Sequence, residues 1–189
     1  MSGLPEPPEG GNKRVALLIA VLALFLAFAE AGNSNNENLA LDSNIEASNL
    51  WAFFQAKTIR GTVLRTAAEQ METDLGRVAD PVARQAMQTR IEGWKQAIAR
   101  YDSEPETGEG RKELAARAKA REETRALASQ KKEIFEVAAK LFQIAIIVAS
   151  TAIITGIGWL SLASLGLGIG GIALMAFAIH APGAIHLPF

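Results

Sequence analysis

The chain has 189 residues, 49% of them hydrophobic and 21% charged, with a formal net charge of −1. A balance this close to zero argues against nucleic-acid binding, which needs a basic surface. The absence of cysteine excludes disulfides, thiol nucleophiles and cysteine-ligated metals. Charge is also segregated: all but two of the acids and all but three of the bases lie between Glu30 and Glu136, with apolar runs at both ends.

Residues 1–14 begin MSGLPEPPEGGN, a Pro- and Gly-rich tail that reads as disordered, and close on Lys13-Arg14. Val15–Ala29 then carries no charge. It is short against the ~20 apolar residues that cross a ~30 Å hydrocarbon core, but it reads as a first transmembrane helix over 15–32. Two other readings stay open. Ala29-Glu30-Ala31 has the small-x-small form of a signal-peptide cleavage site behind a basic region, and a helix lying in the interface fits the same run. Asn33-Ser34-Asn35-Asn36 reads as a polar exit loop.

Residues 33–136 read as a helical stalk or coiled-coil-like domain. Leu50, Phe54, Leu64, Ala68, Met71, Leu75 and Val78 follow a 4-3 spacing that Lys57 and Gly61 interrupt. Asp80-Pro81 predicts a cap followed by Pro at the first position of a new helix. That helix, 81–101, places Met87, Ile91, Trp94, Ile98 and Tyr101 on one stripe. The acidic run DSEPETGEG (102–110) is a loop. A third helix starts near Arg111 with a stripe of Ala120, Thr124, Leu127, Lys131, Ile134, Ala138 and Leu141, and runs unbroken to about Ile157.

From Leu141 to Phe189 there is no Asp, Glu, Lys or Arg. Two spans fit, over 137–158 and 165–181, with Trp159–Ser164 as the turn and Trp159 suited to the headgroup level. Residues 182–189 are a tail. No stretch shows strand alternation. The expected fold is therefore all-α: an integral membrane protein with an N-terminal span, a long helical extramembrane stalk or bundle and a C-terminal two-helix membrane hairpin. An Ala-rich stalk has a thin core, and homo-oligomerisation is the expected way to complete it.

The segment EASNLWAFFQAKTIR (Glu46–Arg60), the preceding NKRVALLIAVLALFLAFAEAG, the following RTAAEQME and the closing pair of apolar spans together resemble the domain-of-unknown-function family 4337 of bacterial membrane proteins. The likeness runs from about Asn12 onward. It implies a bacterial inner-membrane protein and brings no catalytic residues with it.

Two groups of residues stand out. Trp51, Phe53, Phe54, Lys57 and Arg60 suit either a helix on the membrane surface, with rings at the headgroups and cations toward lipid phosphate, or a contact between subunits; the plain alternative is a helix core with a solvated basic edge. Ser164, Gly166, Gly168, Gly170 and Gly171 contain Gly166-x-x-x-Gly170 and Ser164-x-x-x-Gly168, spacings that let helices approach closely in lipid. They pack either between copies or against the neighbouring span. Glu69, Glu72 and Asp74 beside Arg65 and Arg77 read as solvated ion pairs. His180 and His186 make a weak case for a metal, and no phosphate loop or nucleophile elbow is present. We expect no enzyme, cofactor or nucleic-acid partner; the ligand, if any, is not readable.

The expected role is a homo-oligomeric, membrane-anchored scaffold. The alternative is a pore component, with the glycine-rich hairpin and Ser150, Thr151 and Thr155 along the path. Orientation divides the two ends. Lys13 and Arg14 before the first run place the middle domain outside, whereas Arg117, Lys119, Arg121, Arg125, Lys131, Lys132 and Lys140 before the second place it inside. The latter count is the larger and favours a cytoplasmic middle domain.

Overall fold

The computed structural model describes residues 9–182; the expectations for the first eight residues and for 183–189, His186 among them, lie outside the described residues. Four helices follow in order: α1 (Glu9–Leu75), α2 (Pro81–Asp102), α3 (Arg111–Thr155) and α4 (Gly158–His180). Among the described residues there is no strand. The protein is all-α, and α1, α3 and α4 are each long and apolar enough to cross a membrane.

The chain forms two compact units, one from residues up to Leu41 together with those from Arg125 on, the other Asp42–Thr124. In the first unit α1 and α3 run antiparallel. Glu37 pairs with Lys132 at 3.0 Å, Glu30 accepts from Gln143 at 3.5 Å, and the Phe25 and Phe142 rings stack with centroids 5.9 Å apart. The core holds Leu22, Ala29, Ala138, Phe142 and Ala145, with Leu18, Leu167, Leu174 and Met175 packed against it. The buried face of α3 is mostly alanine: Ala138, Ala145, Ala149 and Ala152 alternate around Phe142. Small residues at a helix seam permit the close approach that apolar burial does not drive in lipid.

Several boundaries differ from the expectation. Residues 9–14 are helical, not tail. The polar run 33–36 is no exit loop but part of α1. It contains no proline, and Asn36 Nδ2 donates to the Gly32 carbonyl at 2.7 Å, so the amide is satisfied on the helix itself. The turn before the last helix sits at Gly156-Ile157, not at 159–164, and α4 begins at Gly158 instead of 165. Gly156 has φ 70°, the left-handed conformation that ends helices and that glycine adopts without a Cβ penalty, and its N–H bonds to Ala152 O at 3.0 Å. The α3 stripe holds at Thr124, Lys131, Ile134, Ala138 and Leu141, buried or half-buried, but Ala120 and Leu127 are exposed, and Leu114, Ala118 and Ala128 are buried in their place. In a helix this rich in alanine, neighbouring registers look alike by composition.

The second unit is built around the inner face of α1. Its seam is Ala47, Leu50, Phe54, Lys57, Gly61, Leu64, Ala68, Met71 and Leu75, each buried or half-buried. Lys57 and Gly61 therefore belong to the heptad rather than interrupting it. α2 returns along the distal part of α1, where Lys95 pairs with Glu72 at 2.7 Å and Tyr101 rests on Gly61. The start of α3 returns along the proximal part, where Arg121 pairs with Glu46 at 2.9 Å and Leu114 and Ala118 pack on Leu50. The cap at Asp80 forms as its sequence predicts, with Oδ1 accepting from Val82 N at 3.1 Å and Pro81 at the first helical position. Ile91 is the buried centre of the α2 stripe.

Candidate functional site: the aromatic and cationic junction

The partner of α1 changes from α3 to α2 near Lys57, and the loop 103–110 crosses there. The residues singled out on α1 meet at this point. Trp51 and Phe54 form an edge-to-face pair with centroids 5.5 Å apart, a favourable ring geometry, and both pack on Leu50, Leu114 and Ala118. Trp51 Nε1 donates to Glu122 Oε1 at 2.9 Å.

Lys57 is turned inward, its side chain 8% exposed, with Nζ 3.7 Å from Glu109 Oε2. The ammonium lies 5.4 Å from the Phe53 ring centroid and 5.3 Å from that of Tyr101. Two ring faces and one carboxylate thus receive the charge that leaves water. Phe53 keeps 38% of its surface exposed, and Arg60 is exposed.

One step away, Arg111 at the start of α3 pairs with Asp102 at the end of α2. It also donates to Thr58 Oγ1 at 3.4 Å, and its guanidinium stands 5.9 Å from the Phe54 centroid. Thr58 Oγ1 in turn donates to the Phe54 carbonyl at 2.9 Å. The Arg111 Nε atom is buried without a partner.

Glu113 fixes the loop. Its carboxylate accepts from Ser103 Oγ at 2.6 Å and from Glu104 N at 3.2 Å, joining the end of α2 to the first turn of α3. Gly110 makes this possible: a Cβ there would lie 2.1 Å from the Glu113 carboxylate and 2.4 Å from Glu104 N. The Ser103 hydrogen bond is the main cause holding the Glu113 carboxyl below its ordinary value of 4.5, with backbone N–H groups adding to it against partial burial. A depressed carboxyl stabilises the fold above the unfolded value and ceases to do so as pH falls through the folded one. Glu113→Gln accordingly lowers the thermal midpoint at pH 7, and the gap from wild type closes on acidification below about 4. Melting both proteins across pH 3–7 checks this; a gap independent of pH would remove the charge from the account.

The glycine set of α4 divides between two faces. Ser164, Gly168 and Gly171 point into the first unit. Ser164 Oγ donates to the Ala145 carbonyl at 2.8 Å. A Cβ at Gly168 would lie 2.5 Å from Leu22, and one at Gly171 would lie 2.7 Å from the Phe142 ring. Gly166 has nothing within 4 Å of such a Cβ, and Gly170 meets only Leu141 at 3.8 Å. His180 is exposed at the end of α4. Among the described residues no three His, Asp or Glu gather as metal ligands.

Sequence reasoning missed Tyr101, Asp102, Glu109, Arg111 and Glu113 as members of the junction. The spacing of charges in DSEPETGEGRKE was the available signal, since an acidic loop beside a helix carrying an internal lysine supplies its counter-charge. A family model described as a domain of unknown function (DUF4337) matches residues 11–181. No curated protein and no solved structure matches the chain significantly.

Proposed function

Since the chain belongs to domain-of-unknown-function family 4337 across residues 11–181, a family whose description assigns no activity, we propose from its own geometry that it is a non-enzymatic, homo-oligomeric membrane scaffold. Copies are anchored in the bacterial inner membrane by three helices and meet through their helical middle units, held on the cytoplasmic side by the cations that precede the apolar end of α3. One observation carries the reading. In the 42–124 unit Trp51, Phe54, Lys57 and Arg111 make their contacts inside the chain, whereas Ile45, Ile59 and Val63 stay 58%, 64% and 61% exposed. Large apolar residues grouped on a surface outside the lipid mark a contact with protein.

The alternative is an oligomeric pore component. The outward Gly166 favours it. Ser150, Thr151 and Thr155 donate to Ile146 O, Ile147 O and Thr151 O of their own helix, at 2.8–2.9 Å, which leaves their oxygen lone pairs, and not their protons, to meet a permeant species. Mass photometry of the protein in nanodiscs tests the scaffold reading. The expected particle contains two or more copies; a monomer at every usable concentration overturns it.

A further inference from the structure

The inner seam is one of two stripes on α1 within the 42–124 unit. The other lies two residues on, about 200° around the helix at ~100° per residue. It consists of Ile45, Asn49, Ala52, Ala56, Ile59 and Val63, again in alternating steps of four and three. All but Ala56 are exposed. The stripe continues through Thr66 to Gln70 without an ionisable residue, although α1 carries eight of these between Asp42 and Asp74. Its far end is a shallow depression lined by Thr62, Val63, Thr66, Ala67 and Gln70. A face evolved only to meet water would hold the charges; here the charges flank it.

We infer that a second copy of this chain docks on this face of α1, parallel and in register. The inference rests on the homo-oligomeric reading and specifies its contact. The polar layers decide the direction. In a parallel pair Asn49 meets Asn49, Thr66 meets Thr66 and Gln70 meets Gln70; each amide is both donor and acceptor, so the two satisfy one another. A lone asparagine in such a seam is also a device that sets register. An antiparallel pair centred on Ile45–Val63 would set Asn49 against Ile59, and one centred on Ile45–Gln70 would set Gln70 against Ile45, so only the parallel pair gives every amide an amide partner. Flanking charge agrees: in the parallel register Arg60 lies beside Gln55 of the other copy, and like charges first meet at the end of the stripe, Glu69 against Asp74.

Area decides the occupant. Ile45 to Gln70 spans ~38 Å at ~1.5 Å per residue, and a face about 10 Å wide offers roughly 400 Å². That is about half of the ~800 Å² per partner that a free-standing interface buries. A soluble partner would be held poorly there. Two copies confined to one bilayer have the high effective concentration that makes a contact of this size sufficient.

The chain is free of cysteine, so single cysteines report without background. Full-length protein carrying Ile45→Cys, Asn49→Cys, Ala52→Cys, Ala56→Cys, Ile59→Cys or Val63→Cys is oxidised in membranes, with Arg65→Cys and Glu72→Cys, both exposed and away from the stripe and its flanks, as controls. Disulfide-linked dimer is expected several-fold above the controls at every stripe position, from Ile45 to Val63. Equal yields at stripe and control positions would overturn the inference, as would dimer confined to one neighbouring central pair, Ala52 and Ala56 or Ala56 and Ile59, the pattern of an antiparallel pair. Oligomeric particles in nanodiscs combined with either of those patterns would sink this contact and leave the scaffold reading standing. A monomer in nanodiscs would sink both.

Discussion

Gly171→Ile lowers the thermal midpoint of the solubilised protein by roughly 5–10 °C, whereas Gly166→Ile, five residues earlier on the same helix, leaves it within about 2 °C. The contrast follows from what each side chain meets. At Gly171 even a Cβ would stand 2.7 Å from the Phe142 ring. Phe142 is fully buried, stacked on Phe25 and bordered by Ala138 and Ala145, so the ring has nowhere to retreat. Overpacking of this kind costs about 1–3 kcal/mol, and in a chain of this size each kcal/mol moves the midpoint by about 2–4 °C. At Gly166 the same substitution enters open space. Both changes alter helix propensity and hydrophobicity alike, so the difference between them isolates packing. Equal midpoints for the two variants would show that α4 does not pack on Phe142.

Lys57→Glu removes on the order of 3 kcal/mol from the stability of the 42–124 unit, while Lys57→Met stays within about 1 kcal/mol of wild type. Reversing the charge sets a carboxylate against Glu109 and against the negative ring faces of Phe53 and Tyr101. Breaking a buried charge pair typically costs about 3–5 kcal/mol; the lower end applies because Glu109 is 52% exposed and rehydrates. Methionine keeps the stem that fills the seam between Phe54 and Gly61. Glu109 loses its partner, but at 52% exposed it rehydrates and no buried charge is stranded. Denaturant melts followed by tryptophan fluorescence read both variants. If Lys57→Met were as unstable as Lys57→Glu, the charge itself would be indispensable, and the apolar contacts of the stem would count for little.

Much of the helical framework is legible from local chemistry. Asp80-Pro81 announces the start of α2 because the cap and the missing proline N–H belong to the same four residues. DSEPETGEG announces a loop because its two glycines and its proline break a helix that its glutamates alone would permit. The long third helix is legible because no breaker occurs before Gly156. The misreadings share a cause: each rests on a partner distant in the chain. Asn33–Asn36 look like a loop by composition, yet the helix continues and Lys132 meets Glu37 in the next turn. Ser164 looks like a turn residue until the Ala145 carbonyl, 19 residues away, accepts its hydroxyl. Lys57 looks like a break in an apolar stripe until Glu109 and Tyr101 arrive beside it. The candidate site was therefore half visible. Its rings and lysine stand together on α1, but the acids and the arginine that enclose them come from elements 40 to 60 residues further on. The small-residue set shows the same limit: spacing identifies the glycines, and only the three-dimensional neighbours divide them between an inner and an outer face.

The two-residue link at Gly156-Ile157 also constrains how the chain is made. The last helix carries no Asp, Glu, Lys or Arg and thus has no cationic flank of its own to orient it during insertion. With so short a link, and with Ser164 tied to Ala145 across the turn, α3 and α4 form one tight helical hairpin. The direction of α4 is thereby set by that of α3, to which it returns antiparallel.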